Sequence, residues 1–295
     1  MGSSSPVEQV TGLLLLACAC VSVLTTVGIV AVLLTESADF FAVVPLRRIL
    51  LDTQWTPLFA DQHFGIWPLV GGTLLTTACA MVVAIPLGVA SAVYLAEFAS
   101  PPVRRALKSL LELLASVPTV AFGYFALMMV TPTLQQLLPG VSSFNALGAG
   151  LMMGVMILPI IASLSEDAVF AVPSSLREGS YALGAGRVAT IFRVVLPSAA
   201  SGIAAAIILG ISRAVGETMI VAIAAGQQPQ LTADPRQAVE TMTAYMAKVS
   251  MGDTPAGTLE YRTIFAVGLC LFTMTLALNL VAHHLRRRVL KGTMG

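Results

Sequence analysis

Charged residues are scarce in this chain. Lys, Arg, Asp and Glu make up only 11% of its 295 residues, whereas 57% are hydrophobic. So few charges cannot cover the surface of a water-soluble protein, and the composition therefore indicates an integral membrane protein in contact with lipid. The formal net charge of +1 favours neither nucleic acid nor an acidic partner, so we predict no nucleic-acid binding.

Cysteine and histidine are also few, and neither has the spacing of a metal site. The cysteines all lie inside apolar stretches, where we interpret them as small buried hydrophobic residues. They are Cys18, Cys20, Cys79 and Cys270. The histidines lie at the edges of apolar stretches or beyond them, at His63, His283 and His284. We therefore predict no metal site.

Enzyme signatures are absent as well. The chain has no H-E-x-x-H pair and no G-x-S-x-G elbow, so no catalytic residues are predicted. It also lacks a G-x-x-x-x-G-K-S/T phosphate loop, and it is therefore not expected to hydrolyse ATP itself. We expect a chain that is not an enzyme and that binds no cofactor of its own.

Six stretches are apolar and long enough to cross a bilayer, because a hydrocarbon core of about 30 Å needs roughly 20 helical residues. They are residues 10–34, 68–95, 110–130, 146–164, 199–225 and 263–282. The predicted fold class is an all-α integral membrane protein with six transmembrane helices.

Lysine and arginine in the connecting segments predict the orientation, because cytoplasmic loops are enriched in both. With a cytoplasmic N-terminus, ten of these residues would lie on the inner side and five on the outer side. The inner set is Arg104, Arg105, Lys108, Arg177, Arg187, Arg193, Arg286, Arg287, Arg288 and Lys291. The outer set is Arg47, Arg48, Arg236, Lys248 and Arg262. We therefore predict that both termini are cytoplasmic.

The fifth predicted span contains two charged residues, Arg213 and Glu217. An arginine at the bilayer centre costs about 2.5–3.5 kcal/mol on insertion scales, so it must face protein or water. The i, i+4 spacing places both side chains on one helix face. The pair is either a structural ion pair, or Arg213 meets an oxyanion transiently while Glu217 keeps that contact weak. Ser212 and Thr218 flank the pair and either add hydroxyl ligands or bond back to their own helix.

Residues 178–197 form a moderately polar stretch between apolar spans. Ser175 and Glu178 have the spacing of a capping box, which predicts the start of a short helix, and Gly184 is expected to end it with a positive φ. A second short helix should follow, with Pro197 closing the segment. Its apolar residues recur at helical spacing, at Val188, Ile191, Phe192 and Val195. Two such helices on one side of a membrane predict a docking surface for another protein.

A second polar stretch, residues 226–262, lies on the predicted outer side. It is too polar to cross a membrane and too short to be an independent domain. Its acidic residues are Asp234, Glu240, Asp253 and Glu260. Either they offer a polar surface to an extracytoplasmic partner, or the stretch is a solvated connector.

The spacing within residues 178–197 resembles the EAA loop of binding-protein-dependent ABC importer permeases, E-A-A-x3-G-x9-I-x-L-P. The residues at the matching positions are Glu178, Gly184, Val194, Leu196 and Pro197. Gly179 and Ser180 replace the two alanines, and Val194 replaces the isoleucine. The resemblance implies that these residues, with Arg187 beside them, dock on a cytoplasmic ATPase subunit that uses the ATP.

Further runs resemble the PstC branch of this family, one of two permease subunits of phosphate-specific importers. They include FGIWPLVGGTLLTT from Phe64, SRAVGETM from Ser212 and EYRTIFAVGLCLFTMTLALN from Glu260. The resemblance implies a multi-pass protein of the bacterial inner membrane that moves phosphate from an extracytoplasmic binding protein into the cytoplasm. Its implied partners are a PstA-like permease subunit, a PstB-like ATPase dimer and a PstS-like phosphate-binding protein. Phosphate would pass Arg213, Glu217, Ser212 and Thr218.

The resemblance also implies a division of the chain into three parts. Residues 1–67 would form an N-terminal transmembrane helix with an extracytoplasmic interfacial segment. Residues 68–285 would form the permease domain, with a cytoplasmic coupling loop at residues 166–197. Residues 286–295 would form a basic cytoplasmic tail.

Several alternatives stay open at this point. The chain could be a permease for sulfate, molybdate or phosphonate, or the sister phosphate subunit PstA, because the EAA loop does not distinguish the cargo. A secondary carrier driven by an ion gradient commonly shows inverted repeats, and no convincing repeat relates the two halves here. A sensor or scaffold that does not transport is the third class.

Overall fold

The computed structural model describes the backbone of residues 6–292 and the side chains of residue 7 and residues 9–281. In that range the chain is almost entirely helical, and an isolated bridge between Trp55 and Phe64 is the only β pairing. The α-helices are α1 (Pro6–Val43), α2 (Leu46–Leu51), α3 (Trp67–Val93), α4 (Pro101–Ser116), α5 (Thr119–Phe125), α6 (Thr131–Leu137), α7 (Ala146–Phe170), α8 (Ser174–Ala182), α9 (Arg187–Thr190), α10 (Leu196–Val215), α11 (Met219–Ala224), α12 (Met242–Met251) and α13 (Leu259–Gly292). Three π-helical turns extend or join them, at Tyr94–Phe98, Ala126–Val130 and Ile191–Val195. The predicted all-α class is confirmed.

Five helical segments among the described residues are apolar and long enough to cross a bilayer. They are Gln9–Val43, Trp67–Phe98, Ala146–Phe170, Arg187–Val215 and Leu259–Val281. The sixth candidate crossing is a bent pair of helical segments, Pro101–Ser116 and Thr119–Leu137, whose axes differ by 86°. When that pair is taken as one span, the prediction of six transmembrane helices is confirmed.

The third predicted span, residues 110–130, is wrong as a single straight helix. The helix breaks at Val117 and Pro118, whose ψ angles of 129° and 134° are extended. Proline drives the residue before it out of the helical region and lacks the amide that a helix interior needs. Residues 110–116 therefore belong to α4, and the crossing itself begins at Thr119.

The fifth predicted span, residues 199–225, is also interrupted. Helix α10 ends at Val215, residues 216–218 form a break, and α11 begins at Met219. At its other end the helix starts earlier than predicted, because α9, a π-helical turn and α10 form one uninterrupted helix, Arg187–Val215. Arg213 therefore lies in the last turn of this helix, and Glu217 lies just beyond its end.

The core is centred on α3 and α7, which form the most extensive helix pair in the described chain. Glycines let the two backbones approach closely, as in other membrane helix pairs. A Cβ atom added at Gly154 would lie 2.7 Å from the carbonyl oxygen of Ala80, and one at Gly150 would lie 2.4 Å from the Cβ atom of Cys79. Glycine at these two positions therefore permits the close contact of α3 with α7.

Replacing Gly150 with alanine is expected to lower the thermal stability of the detergent-solubilised protein. The added methyl group has no space between Cys79 and the carbonyl oxygen of Thr76, which would lie 3.0 Å away, and overpacking a close helix contact costs about 1–3 kcal/mol. Gly28→Ala is the matched control, because nothing lies within 4 Å of a Cβ atom added there. Equal melting temperatures for the two variants would contradict the packing.

An aromatic cluster packs the segment after α1 against α12. The buried Trp55 ring meets the Tyr245 ring edge-on at 5.2 Å and the Phe64 ring at 6.5 Å. Phe64 also meets Phe40, near the end of α1, at 5.7 Å. Helices α8 and α9, with the π-helical turn that follows them, are called the α8–α9 loop below (residues 174–195). Because α3 begins beside the aromatic cluster and ends beside α8, the cluster and the α8–α9 loop lie at opposite ends of the bundle.

The residues predicted to face the cytoplasm gather at the α8–α9 end where the structure describes their contacts. Arg104 and Lys108 contact the end of α7, and Arg177 and Arg187 contact the end of α3. Which end faces the cytoplasm stays a prediction from the lysine and arginine count. The side chains of the predicted basic tail, residues 286–295, lie outside the described residues.

Candidate functional site

The predicted pairing of Arg213 with Glu217 is present. An Nη1 donor of Arg213 lies 2.7 Å from the Oε2 atom of Glu217. The two side chains differ in exposure, because 40% of the Arg213 side chain is exposed and only 3% of Glu217. The guanidinium donates no other hydrogen bond to the described part of the chain. Four of its five N–H donors are therefore without a partner in that part of the chain.

Hydrogen bonds in and beside the break that follows α10 hold Glu217 in place. Its Oε1 atom accepts hydrogen bonds from the backbone amides of Met219, at 3.2 Å, and Ile220, at 3.5 Å, in the first turn of α11. Its backbone carbonyl accepts a hydrogen bond of 2.6 Å from the hydroxyl of Thr243 in α12. The carboxylate thus performs the role of an N-cap side chain. Glu217 is a rigid anchor, and Arg213 is the accessible half of the pair.

The two hydroxyl residues beside the pair have different surroundings. Ser212 donates a 3.2 Å hydrogen bond to the Oδ1 atom of Asn279 in α13, which gives the interhelical hydrogen bond expected of an asparagine inside a span. Thr218 is half-buried at the N-cap position of α11, and its side chain makes no capping hydrogen bond. Thr218 therefore lies beside the pair with its hydroxyl uncommitted, whereas Ser212 joins α10 to α13.

The stretch from Glu178 to Pro197 forms two helices, as predicted, with corrections at both ends. The capping box is wrong, because Ser175 lies inside α8 and the helix begins after Pro173 without a side-chain cap. Pro197 does not close the segment. It lies in the first turn of α10, where proline is tolerated because that amide needs no helical partner. The second helix therefore continues directly into the membrane span.

The turn between α8 and α9 depends on Gly184. Its φ angle of +81° confirms the predicted positive φ, which a residue with a Cβ atom adopts only with strain. The two helices are also joined by a 2.9 Å hydrogen bond between the hydroxyls of Ser180 and buried Thr190. Ser180 occupies the position of the second alanine in the EAA pattern, and an alanine there could not form this hydrogen bond.

The remaining predicted coupling residues divide by exposure. Glu178, Arg187 and Pro197 are exposed, whereas Val194 and Leu196 are half-buried. Leu196 packs against a small cluster at the end of α7, formed by Val169, Val172, Val195 and Ala199. Two apolar side chains of this region are more exposed still, Leu183 to 90% in the turn between α8 and α9 and Phe192 to 63% in the π-helical turn after α9.

Two arginines attach this loop to the end of α3. Arg177 forms an ion pair of 2.8 Å with the nearly buried carboxylate of Glu97 and donates to the carbonyl oxygen of Val169 at 2.9 Å. Arg187 donates to the carbonyl oxygen of Glu97, and its guanidinium lies 4.7 Å from the centre of the Phe98 ring. Sequence reasoning missed Glu97, whose signal is a lone carboxylate at the end of an apolar span.

A second missed residue is Glu166, near the end of α7. Its side chain is fully buried, and both Arg104 and Lys108 of α4 form ion pairs with it. Arg104 also lies 4.3 Å from the centre of the Phe170 ring. Two cations around one buried carboxylate hold α4 against α7.

Residues 226–262, for which the sequence left open a polar partner surface or a solvated connector, place one of their acidic residues in the interior. Glu240 is buried and forms an ion pair of 3.0 Å with Lys248. Burial raises the pKa of the Glu240 carboxyl, and the charge of Lys248 opposes that rise. Asp234 accepts hydrogen bonds from the guanidinium of Arg236, which holds the pKa of Asp234 at about 2. Through its ion pair with Lys248, Glu240 holds α12 in place. The same helix contacts the backbone of Glu217 through Thr243.

Residues 84–291, which contain the charged pair and the whole α8–α9 loop, match the family described as the inner membrane component of binding-protein-dependent transport systems. The chain belongs to this family of transport permeases. It is therefore an integral protein of the inner membrane and a transporter component, not an enzyme. The permease is 32% identical over 284 residues to the probable ABC transporter permease protein YqgH of Bacillus subtilis, covering 95% of this chain and 92% of that protein.

A further relative agrees with this assignment, and two solved structures of other transporters share the fold of the permease. It is 35% identical over 250 residues to the phosphate transport system permease protein PstC 1 of Mycobacterium tuberculosis, covering 77% of this chain and 73% of that protein. Its fold matches a bacterial alginate ABC importer with a TM-score of 0.56 and 14% identity, over 92% of this chain and 99% of that one. It matches the inward-facing methionine transporter MetNI with a TM-score of 0.55 and 19% identity, over 76% of this chain and 94% of that one.

Proposed function

We propose that this permease is the transmembrane subunit of an ATP-driven importer that moves inorganic phosphate from an extracytoplasmic binding protein into the cytoplasm. The observation that carries the proposal is the half-exposed guanidinium of Arg213, tethered at one nitrogen by a buried carboxylate. Similarity to phosphate permeases such as PstC 1 supports phosphate as the cargo. A PstA-like subunit, an ATPase dimer that uses the ATP and a phosphate-binding protein complete the proposed complex.

Phosphate passes Arg213 without being held there. The guanidinium is planar and offers paired donors that match two oxygens of a phosphate. Glu217 partly neutralises it from 2.7 Å, and the fixed carboxylate repels an anion that stays. Release into the cytoplasm needs such a shallow free-energy minimum. The uncommitted hydroxyl of Thr218 donates to the same anion, whereas Ser212 keeps α13 in place through Asn279.

The α8–α9 loop carries the movement of the ATPase to this site. The exposed apolar side chains of Leu183, Val188 and Phe192 form the docking surface together with Glu178 and Arg187. Because Arg187–Val215 is one helix, a rise of about 1.5 Å per residue places Arg213 about 39 Å from Arg187 along a single axis. The ion pair of Arg177 with Glu97 passes the same movement to α3.

The complex reconstituted in vesicles tests this function. We expect uptake of radiolabelled phosphate that requires both ATP and the binding protein, with sulfate, molybdate and phosphonate competing weakly. Equal competition by another oxyanion would assign the permease to that anion. Transport by this chain alone, without an ATPase, would show that it is a secondary carrier instead.

Replacing Gly184 with valine is expected to uncouple ATP hydrolysis from uptake. Valine at a φ angle of +81° carries a strain of about 1–2 kcal/mol or more, which the turn can relieve only by changing the angle between α8 and α9. We expect ATPase activity to continue while phosphate uptake per ATP falls severalfold. Gly179→Ala is the control, because this glycine lies inside α8 with open space around it. Unchanged coupling in the Gly184→Val complex would contradict the docking geometry.

A further inference from the structure

Two cavities adjoin each other where α4 packs beside the end of α3. The first has a volume of about 360 Å³, and its charged lining consists of Arg104, Arg105 and Lys108. The second has a volume of about 420 Å³ and an almost wholly apolar lining that includes Tyr94. Leu95 lines both cavities. A basic compartment therefore opens beside an apolar one.

Helix α4 has three distinct stripes and no buried residue. The half-buried stripe that faces the protein consists of Arg104, Leu107, Lys108, Leu111 and Leu114. An exposed apolar stripe consists of Val103, Ala106, Leu110 and Leu113. An exposed polar stripe consists of Arg105, Ser109 and Glu112. This arrangement is typical of a helix that lies in the plane of a membrane interface.

The bend after α4 gives the helix that position. Thr131, at the start of α6, meets Asn145 beside the beginning of α7, with 3.2 Å between the hydroxyl and the amide nitrogen. Arg104 contacts Glu166 near the other end of α7. The chain from α5 to α6 therefore runs along α7, and the 86° bend lays α4 across the end of the bundle. The basic cavity therefore lies beside the end of α7, a 25-residue apolar helix, and a helix of that length reaches both edges of a hydrocarbon core of about 30 Å.

The charges of the cavity favour an anion. Arg104 and Lys108 are turned towards buried Glu166, with Asp167 at 3.5 Å from Lys108. Arg105 is exposed and donates a 3.4 Å hydrogen bond to the carbonyl oxygen of Pro101, and no carboxylate of the described residues forms an ion pair with it. Three cations beside two carboxylates leave a net positive charge at the mouth. Phosphate oxygens of a lipid match such a basic pocket between helices.

We propose that this pair of cavities binds one anionic phospholipid from the leaflet on the side of the α8–α9 loop. The headgroup phosphate meets Arg105 and Lys108, and an acyl chain lies in the apolar cavity between Tyr94 and Leu114. The bound lipid fills the gap between α4 and α3 and steadies α4 beside the end of α3, where the α8–α9 loop is attached. The site is independent of the cargo that the permease carries.

Native mass spectrometry of the purified complex, titrated with phosphatidylglycerol or phosphatidylcholine, tests the site. We expect preferential retention of phosphatidylglycerol, and R105Q should weaken it about tenfold, because a charge-assisted contact is lost. R47Q is the matched control, since Arg47 is exposed in α2 at the opposite end. Equal losses in both variants would show general electrostatic attraction and overturn the proposal.

A second pair of variants tests the apolar half of the site. L111W places a bulky ring into the apolar cavity and is expected to reduce lipid retention, whereas L113W adds the same ring on the exposed stripe, where Leu113 is 64% exposed. A photoactivatable phosphatidylglycerol should label peptides within residues 90–114. Even labelling of all spans, or cross-linking of Leu111 to another subunit instead of lipid, would overturn the proposal.

Discussion

Replacing Arg213 with alanine is expected to lower phosphate uptake by the assembled complex about 10- to 100-fold. The variant removes the charge-assisted hydrogen bonds to the passing anion, each of which contributes about 1.5–3 kcal/mol. It also leaves Glu217 buried in the span without its cation, so the anion meets an unneutralised carboxylate. Uptake of radiolabelled phosphate into vesicles measures the effect.

Three further variants distinguish contact of Arg213 with the anion from a purely structural role of the Arg213–Glu217 ion pair. Arg213→Lys keeps the charge but loses the fork of donors, and we expect intermediate uptake. Glu217→Gln should also lower uptake, because the guanidinium loses its charged anchor. Arg47→Ala removes an exposed arginine outside the proposed path and should leave uptake unchanged. Wild-type uptake in a fully assembled Arg213→Ala complex would show that the pair only stabilises the bundle.

The double variant Arg104→Gln, Lys108→Gln is expected to be the least stable of the proteins considered. It leaves the fully buried carboxylate of Glu166 without a cation. Breaking a buried ion pair from one side costs about 3–5 kcal/mol, and we expect the lower end because the two cations are themselves about one-third exposed. Thermal unfolding of the detergent-solubilised complex measures the loss.

The triple variant that adds Glu166→Gln is the decisive control. It removes the buried negative charge that the double variant leaves unpaired, so most of the lost stability should return. If the triple variant is as unstable as the double one, packing of the Arg104 side chain on Phe170, and not charge, holds α4 to α7.

The spans were predictable from the sequence because their signal is local. About twenty consecutive apolar residues are enough to predict a crossing, whatever the rest of the chain does. The turn at Gly184 was predictable for the same reason, since a glycine between two amphipathic segments favours a positive φ. The bend at Pro118 has a local cause, since proline disfavours a helix interior, but its 86° angle depends on how α4 packs across α7.

The break after Val215 was not predictable from local sequence. A single glycine at Gly216 disfavours a helix by only about 1 kcal/mol, which does not end an apolar span. The break is stabilised by the Glu217 carboxylate on the amides of α11 and by the hydroxyl of Thr243, 26 residues away in sequence. Because Thr243, which binds the backbone of Glu217, lies in a different segment, only the three-dimensional structure shows that the charged pair lies at a helix end.

The ion pairs at the α8–α9 end could not be predicted from the sequence for a similar reason. Glu166 and Arg104 are 62 residues apart, and Glu97 and Arg177 are 80 residues apart. Counting positive residues identified that end of the bundle, but no local pattern shows which cation meets which carboxylate. Pro197 misled the prediction because proline ends many helices, yet a first turn accepts it.

The unbroken helix Arg187–Val215 also constrains how this sequence can change over time. Each inserted or deleted residue between the docking surface and Arg213 would shift the guanidinium by about 1.5 Å and rotate it by about 100° around the helix axis. One such step would turn the Arg213–Glu217 pair relative to the docking surface, because both residues follow the changed segment. Substitutions of the intervening residues preserve this geometry, whereas a change in their number does not, so the length of the segment is the property that the helix constrains.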